Sequence, residues 1–196
     1  SALGHTPEQM KQALTTAQNS LSLRSGFIPE KQVWVGAYQQ PLIESVPDFL
    51  HAIDSRNLRF ALTTLSAIEA EIRDYTAQFE PKRLAIILGT STSGIADNEK
   101  VLKPYFANQH VVEVVHGKQE MGSLAKALQQ YLGWEGPAYT ISTACSSSAK
   151  AMAAAGSDAR MNGCELPVVI NSGSGNQGIT VSVPVIVYAK ELNVGE

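Results

Sequence analysis

The sequence predicts an α/β fold, in which buried strands alternate with amphipathic helices. Residues 82–88 predict a strand, and its residues 84–88 form a continuous apolar run that is typical of a strand covered on both faces. Residues 139–143 alternate and contain β-branched and aromatic side chains, which favours a second short strand. Apolar residues recur at helical spacing over residues 55–79 and 123–132. This alternation predicts a layered sheet with helices on both of its faces.

The N-terminal segment contains the start signals of one further helix. Thr6 can cap a helix, Pro7 suits its first position, and Gln9 completes a capping box. Residues 19–47 are rich in turn formers and predict an irregular connection. Within that connection, residues 33–35 favour a short strand.

Composition excludes several classes of protein. The length of 196 residues predicts one domain, or one large half of a bigger protein. The net charge of -3 argues against nucleic acid or an anionic membrane as the main partner. No apolar run approaches the roughly 18 residues of a spanning helix, and no leader pattern opens the sequence. The two cysteines lie nineteen positions apart in different settings, which favours a reducing cytoplasm over a disulfide framework.

Cys145 follows a predicted strand and precedes a run of helix-forming residues, 150–155. This pattern places its sulfur at a helix N-terminus, where unpaired N–H groups and the helix dipole favour an anion. Its neighbours are small, so a substrate carbonyl can approach closely. Such a setting predicts a nucleophile. The alternative is the ordinary role of a lone cysteine as a small buried apolar residue.

A loop of small and hydroxylated residues, 89–94, follows the strand at 82–88. Open α/β sheets bind ligands at the carboxyl ends of their strands, so this loop predicts a substrate-binding segment with Gly89, Thr90 and Ser91 as its candidates. It is not a phosphate loop, because the required spacing fails at Ile95.

A second glycine-rich loop is predicted near the end of the chain. Asn162 and Gly163 favour the end of the helix after Cys145. Residues 166–170 then predict a strand, and residues 171–178 a glycine-rich loop. Residues 179–192 fit either a helix or a β-rich tail, and we favour the helix because Pro184 argues against a central strand.

The first 150 residues resemble the N-terminal half of a β-ketoacyl-acyl-carrier-protein synthase, a condensing enzyme of the thiolase fold. The shared motifs are Leu88-Gly-Thr-Ser-Thr-Ser-Gly94, Gly136-Pro137, and Ser142-Thr-Ala-Cys-Ser-Ser147, together with Ser55-Arg-Asn57 before the long helix. The sequence of these motifs is similar to that of synthases linked to aryl polyene pathways. The resemblance implies a thiolase-like layered half-domain with a mixed sheet and helices on both faces.

That resemblance also implies an activity. Cys145 would accept an acyl group from the phosphopantetheine thioester of an acyl carrier protein, in fatty acid or polyketide biosynthesis, and its own N–H would form part of the oxyanion hole. Thr143 and Ser146 would flank the substrate. No cofactor would be bound by the chain itself, and the family implies a homo- or hetero-dimer.

Condensation needs residues that this sequence lacks. The family uses two histidines and a lysine from its C-terminal half to decarboxylate a malonyl thioester, and no histidine follows His116 in this chain. The sequence therefore predicts acylation of Cys145 without complete condensation.

Residues 153–196 are similar to a different family, the L-cysteine desulfidases and serine-dehydratase-like proteins. The similar segment extends from Ser157 to Gly178. It includes Gly175 and Asn176, which are therefore candidate substrate-binding residues. In that family an iron–sulfur cluster serves α,β-elimination on an amino acid. Cys164 is the one candidate cluster ligand in this segment, and a cluster needs about three or four protein ligands.

The two resemblances divide the chain into residues 1–152 and residues 153–196, the second continuing the layered domain of the first. A chimera joined near residues 149–156 is one interpretation of this division. Three functions stay open: an acyltransferase of the condensing type, an amino-acid lyase, and a fold in which both loops are inactive remnants.

Overall fold

A computed structural model describes residues 2–4, 6–38, 40–108 and 115–161 of the chain. It confirms the α/β prediction, since helices are combined with small parallel and antiparallel sheets. The chain forms two compact units, Ser1–Leu42 and Ile43–Glu196. The strand predicted at 166–170, the loop at 171–178 and the tail beyond it lie outside the described residues.

The first unit contains one helix and a β-hairpin. Helix α1 spans Pro7–Thr15, and the predicted capping box is confirmed, because the Thr6 hydroxyl accepts the Gln9 N–H at 3.2 Å. Strands β1 (Ser22–Ile28) and β2 (Lys31–Val35) pair antiparallel. The sequence predicted β2 within an irregular connection and missed β1.

The second unit begins with helices and continues as an alternation of strands and helices. Over its described residues, the α-helices and strands are α2 (Arg56–Ser66), α3 (Glu69–Thr76), β3 (Ile86–Gly89), α4 (Ile95–Asn108), α5 (His116–Gln119), α6 (Ser123–Leu132), β4 (Ala138–Ile141) and α7 (Ser147–Met161). Short 3-10 helices occur at Asp48–Ile53, Pro81–Arg83 and Ala144–Ser146. No helix in the described ranges combines the length and apolar character needed to cross a membrane.

The core of this unit lies between α2 and α6. Leu58 and Leu62 of α2 are 2% and 3% exposed, because they occupy the apolar stripe that the sequence predicted. The cluster that they form is completed by Val46, Leu50, Ala127 and Leu128. Burying this stripe holds α2 and α6 together beneath the strands.

Strands β3 and β4 pair in parallel, with Ile86 opposite Ala138 and Gly89 opposite Ile141. Helices α6 and α7 both pack against this pair. Within the described residues the strands form two separate two-stranded sheets, one parallel and one antiparallel. Because the strands are parallel, both end at the same edge, and this edge positions the candidate site.

The predicted helix over 55–79 is wrong in one respect, because it is divided into α2 and α3. The division falls at Ile68, whose backbone is not helical. Near the end of α2, the hydroxyls of Thr63 and Ser66 bond to the carbonyls of Arg59 and Thr63. Such side-chain bonds compete with regular helix geometry and favour an interruption.

An ion pair fixes the start of α2. The Arg59 guanidinium donates to both carboxylate oxygens of Asp54, at 2.8 and 2.6 Å, and to the Glu44 carbonyl at 2.6 Å. The hydrogen bonds from Arg59 hold the pKa of Asp54 below its ordinary value of 3.8. A lowered carboxyl pKa adds stability above the ordinary value, and that stability is lost as the pH falls through the lowered value.

We therefore expect Asp54→Asn to reduce the free energy of unfolding at pH 7 by roughly 0.5–1 kcal/mol. The difference from wild type should shrink as the pH falls below 3.8 and through the lowered pKa of Asp54, where the wild-type carboxyl also becomes neutral. Urea unfolding at pH 7 and at a series of pH values below 3.8 measures both effects. Asp48→Asn is the control, because Asp48 is fully exposed and its contact with the exposed His51 is long, at 3.7 Å. A pH-independent difference for Asp54→Asn would contradict the argument.

Candidate functional site

The carboxyl ends of β3 and β4 bring together two of the predicted segments. The loop with Thr90 and Ser91 follows β3, and the turn with Thr143 and Cys145 follows β4. The Thr90 N–H donates to the Ile141 carbonyl at 3.2 Å, so pairing extends one residue beyond β3. Both segments therefore start from one edge of the parallel pair, where α/β proteins bind ligands.

Cys145 lies in a sharp turn between β4 and α7. Ala144, immediately before it, has a φ of 51°, in the left-handed region that residues with a β-carbon avoid. That conformation costs roughly 1–2 kcal/mol, so other contacts must hold it. The turn places Cys145 in a single 3-10 turn, Ala144–Ser146, that leads directly into α7.

Ser147 makes the contacts that close this turn. Its hydroxyl accepts the Thr143 N–H at 2.9 Å and donates to the Ala144 carbonyl at 2.7 Å. Ser147 is only 3% exposed, so little water competes for these bonds. Sequence reasoning treated Ser147 only as a small neighbour of Cys145. Capping rules do not find its role, because a capping hydroxyl accepts an N–H that follows it in the chain, whereas Ser147 accepts one that precedes it.

The Cys145 side chain is exposed to solvent. Helix α7 begins two residues later and has no acidic residue in its first turn, so the positive end of its dipole is not neutralised there. The hydroxyls of Thr143 and Ser146 lie 3.0 Å apart beside it. The sulfur therefore lies exposed just before a 15-residue helix and next to two hydroxyls, a setting in which reactive cysteines occur.

The loop after β3 is held by its own side chains. The Thr90 hydroxyl donates to the Thr92 carbonyl at 3.1 Å and accepts the Thr92 N–H at 3.2 Å. The Asn57 side chain donates to the same Thr92 carbonyl at 3.4 Å. Ser91 is exposed at the tip. These bonds fix the backbone of the predicted substrate loop and leave the Ser91 side chain facing solvent.

Gly89 contacts the start of α7. A β-carbon at this position would lie 2.5 Å from the Ser147 carbonyl oxygen and 2.5 Å from the Ser148 Cα atom. Real β-carbons do not approach other atoms so closely, so the absence of a side chain is what lets α7 reach β3. Gly89 therefore positions the Cys145 turn through Ser147, in addition to belonging to the predicted loop.

Tyr139 connects β4 to the far part of α7. Its hydroxyl donates to the Asp158 carboxylate at 2.8 Å. Burial raises the pKa of Tyr139, and the Asp158 carboxylate raises it further. Helix α7 runs without interruption through residues 152 and 153, where the sequence divided the chain. The domain division itself stays a prediction.

A small cavity of about 20 Å³ lies near the start of α2. Ser55, Asn57, Ser93 and Lys118 are among its lining residues, and Cys145 is not. The Ser93 hydroxyl has no hydrogen-bond partner among the described residues, and the cavity has room for about one water molecule. In those same ranges, no group of three or more His, Cys, Asp or Glu side chains is placed to hold a metal.

The structure thus places six of the predicted site residues at one edge of the parallel strand pair. They are Gly89, Thr90, Ser91, Thr143, Cys145 and Ser146. The other three, Gly175, Asn176 and the candidate cluster ligand Cys164, lie outside the described residues.

Among solved structures, the chain is similar to a ketosynthase from Xenorhabdus doucetiae, determined in complex with its chain length factor. The two share 32% sequence identity, with a TM-score of 0.73. The match covers 82% of this chain and 41% of the ketosynthase chain. This likeness agrees with the thiolase-like resemblance of the first 150 residues.

Among curated proteins, the chain is similar to UPF0597 proteins. That of Desulfitobacterium hafniense is 81% identical over 48 residues, and that of Lachnoclostridium phytofermentans is 80% identical over 46 residues. Each match covers 24% of this chain, and the chain spans only 11% of the length of either relative. Neither match identifies a junction between two parent sequences, so a chimera stays a prediction.

The family comparison extends over a longer part of the chain. The family model described as serine dehydratase alpha chain matches residues 63–196, well over half of the sequence. This agrees with the resemblance predicted for residues 153–196 and extends it toward the N-terminus. The chain therefore belongs to the serine dehydratase alpha chain family.

Proposed function

We propose that Cys145 is a nucleophile that accepts an acyl group from a thioester. The observation that carries this proposal is the turn itself, which exposes the sulfur at the start of α7. The likeness to a ketosynthase, at 32% identity, supports the same chemistry. This is the function that the geometry of the described residues supports best.

The reaction is an acyl transfer between two sulfurs. The Cys145 sulfur bonds to the acyl carbon while the carbon–sulfur bond of the donor breaks, and the donor leaves as a thiol with the proton that Cys145 loses. The Cys145 N–H would stabilise the negative charge on the carbonyl oxygen, as part of an oxyanion hole. Thr90, Ser91, Thr143 and Ser146 would line the approach of the donor.

The condensing-enzyme resemblance supports a specific donor, fold and partner for this chain. The donor is an acyl carrier protein with a phosphopantetheine thioester, used in the cytoplasm. The chain forms a thiolase-like layered half-domain with a mixed sheet and helices on both faces. Its partner is a second subunit in a homo- or hetero-dimer, and the ketosynthase neighbour, solved with a chain length factor, supports a heterologous partner in general.

A second function is supported by family membership, which favours it over acyl transfer as the activity of the whole protein. In this alternative, the protein is an amino-acid lyase that removes hydrogen sulfide from L-cysteine or water from L-serine. Residues 153–196, with Gly175 and Asn176, would bind the amino acid.

An iron–sulfur cluster does not fit the cysteines of this chain. The sequence contains two cysteines, and a cluster needs about three or four protein ligands. The described residues contain no group of three or more His, Cys, Asp or Glu side chains that could hold a metal ion. We therefore derive no step of the lyase reaction through a cluster in this chain alone.

Mass spectrometry after exposure to acetyl-N-acetylcysteamine, a small acyl thioester, tests the first proposal. We expect one acetyl group per chain, located on Cys145 by peptide mapping, with a rate about tenfold or more above that of Cys164. Cys145→Ala should remove this adduct completely, because no other thiol occupies the turn. Cys164→Ala is the matched control and should be acylated like wild type.

Two outcomes would overturn the acyl-transfer proposal. One is equal modification of both cysteines, and the other is no adduct on Cys145 in folded protein. Release of sulfide from L-cysteine, or of pyruvate from L-serine, by the same preparation would support the lyase instead.

A further inference from the structure

The backbone turn before Cys145 needs a contact that stabilises it. Ala144 adopts a left-handed backbone conformation without being a glycine, and it lies directly before the exposed sulfur. If this conformation relaxed, Cys145 would rotate away from the edge of the β3–β4 pair. Some group near Ala144 must therefore keep the turn in place.

We propose that the Ser147 hydroxyl is this group, and that Ser147 is a positioning residue for Cys145. The inference rests on the proposed acyl transfer. The hydroxyl bonds to the Thr143 N–H at 2.9 Å and to the Ala144 carbonyl at 2.7 Å, so it bridges the two residues before Cys145. Ser147 does not need to touch the acyl group to act in this way.

The two bonds of the hydroxyl are not equally replaceable. The Ala144 carbonyl also accepts the Ser147 backbone N–H, so it keeps a partner if the hydroxyl is removed. The Thr143 N–H would lose its acceptor. Because Ser147 is 3% exposed, water has little access to take the place of the hydroxyl. Removing the hydroxyl should therefore release the turn at Thr143.

The backbone of Ser147 is fixed from the opposite side. Its carbonyl oxygen lies against Gly89, at a distance that no β-carbon would tolerate. The hydroxyl is thus attached to a part of α7 that cannot move freely. Through its bonds to Thr143 and Ala144, the hydroxyl fixes the Cys145 turn relative to β3. A positioning group is effective only when it is itself rigid.

Ser148 provides a matched control at the next position of α7. Its side chain is exposed, so water can replace any bond of its hydroxyl, and it is not among the residues proposed to line the approach of the donor. A serine-to-alanine change at position 147 should therefore have a much larger effect than the same change at position 148.

The experiment compares Ser147→Ala, Ser147→Thr, Ser148→Ala and wild type. With acetyl-N-acetylcysteamine as the donor, we expect Ser147→Ala to lower the maximal acylation rate of Cys145 by roughly tenfold to a hundredfold. The donor concentration at half-maximal rate should change little, because the hydroxyl positions the sulfur and does not bind the donor. Ser147→Thr keeps a hydroxyl and should recover most of the rate, and Ser148→Ala should resemble wild type.

Circular dichroism and thermal melting establish the folded fraction of each variant, to which the rates are normalised. A normalised Ser147→Ala rate equal to wild type would overturn the inference, as would an equal loss in Ser148→Ala or no recovery in Ser147→Thr. Alkylation by iodoacetamide separates this failure from that of the proposed function. If wild type is not acylated, a fall in the Cys145-to-Cys164 alkylation ratio in Ser147→Ala still supports positioning, and an unchanged ratio overturns it.

Discussion

Gly89→Ala is expected to destabilise the protein and to displace the Cys145 turn. The new β-carbon would lie 2.5 Å from both the Ser147 carbonyl oxygen and the Ser148 Cα atom. These are backbone atoms at the start of a 15-residue helix, so they cannot rotate away as a side chain can. We expect a loss of about 1–3 kcal/mol in the free energy of unfolding, as for other overpacked sites. The acylation rate of Cys145 should fall by roughly tenfold to a hundredfold, because small displacements of a reacting group have effects of that size.

Urea unfolding and the acetyl transfer assay measure these two effects. Gly122→Ala is the matched control, because nothing lies within 4 Å of a β-carbon there and its φ is -72°. The control should change the free energy of unfolding by no more than about 0.5 kcal/mol. If Gly89→Ala unfolds and reacts like wild type, close approach of α7 to β3 is not what positions the turn.

The strand, turn and helix around Cys145 were predictable because their signals are local. A short strand, a group of small residues and a run of alanines follow one another without interruption. The structure confirms this order as β4, a single 3-10 turn and α7. The loop after β3 was predictable for the same reason, since glycine and hydroxylated residues directly after a strand favour a turn or loop.

The conformation of Ala144 and the role of Ser147 were not predictable from these signals. Alanine gives no indication of a left-handed backbone, which is ordinarily a property of glycine. The Thr143 N–H donates to the Ser147 hydroxyl only because the turn brings the two within 2.9 Å. The close approach of Gly89 to α7 depends likewise on residues almost sixty positions apart.

Helix α4 shows how tertiary contacts can override a local signal. A proline inside a helix ordinarily interrupts it, because proline removes a helical hydrogen bond. The structure has Pro104 inside a 14-residue helix. Asn98 of that helix is 3% exposed and donates to the Val115 carbonyl at 3.4 Å, a contact with a later segment that sequence spacing does not reveal.

Helix α3 is fixed by contacts of a similar kind. Glu69 accepts bonds from Arg73 at 2.7 Å and from the Tyr131 hydroxyl at 3.0 Å. The Arg73 guanidinium also lies 6.0 Å from the centre of the Tyr131 ring. The hydrogen bonds from Arg73 lower the pKa of Glu69, while burial and this carboxylate raise the pKa of Tyr131. These contacts orient α3 toward α6, whereas the apolar spacing over 55–79 suggested one continuous helix.

Leu58→Ala is expected to have the largest effect on stability of any single change considered. Leu58 is 2% exposed and lies in the first turn of α2, within the cluster that joins α2 to α6. Truncation removes buried methyl groups and leaves a cavity, which typically costs about 2–5 kcal/mol. Because Leu58 also lines the small cavity beside Ser93, the new void would merge with space that already exists, and the neighbours would have little to collapse onto. This places the expected loss in the upper part of that range.

Urea unfolding at pH 7 measures this loss, with Leu14→Ala as the matched control. Leu14 lies in α1 and is 68% exposed, so the same chemical change there should alter the free energy of unfolding by no more than about 0.5 kcal/mol. Acylation of Cys145 should persist in Leu58→Ala below its unfolding transition, because the Ser147 contacts with the turn do not involve the core cluster. If Leu58→Ala and Leu14→Ala were equally stable, the α2–α6 cluster would not be the main source of stability in this unit. If instead Leu58→Ala lost acylation while fully folded, the Cys145 turn would depend on the core, and not only on Ser147 and Gly89.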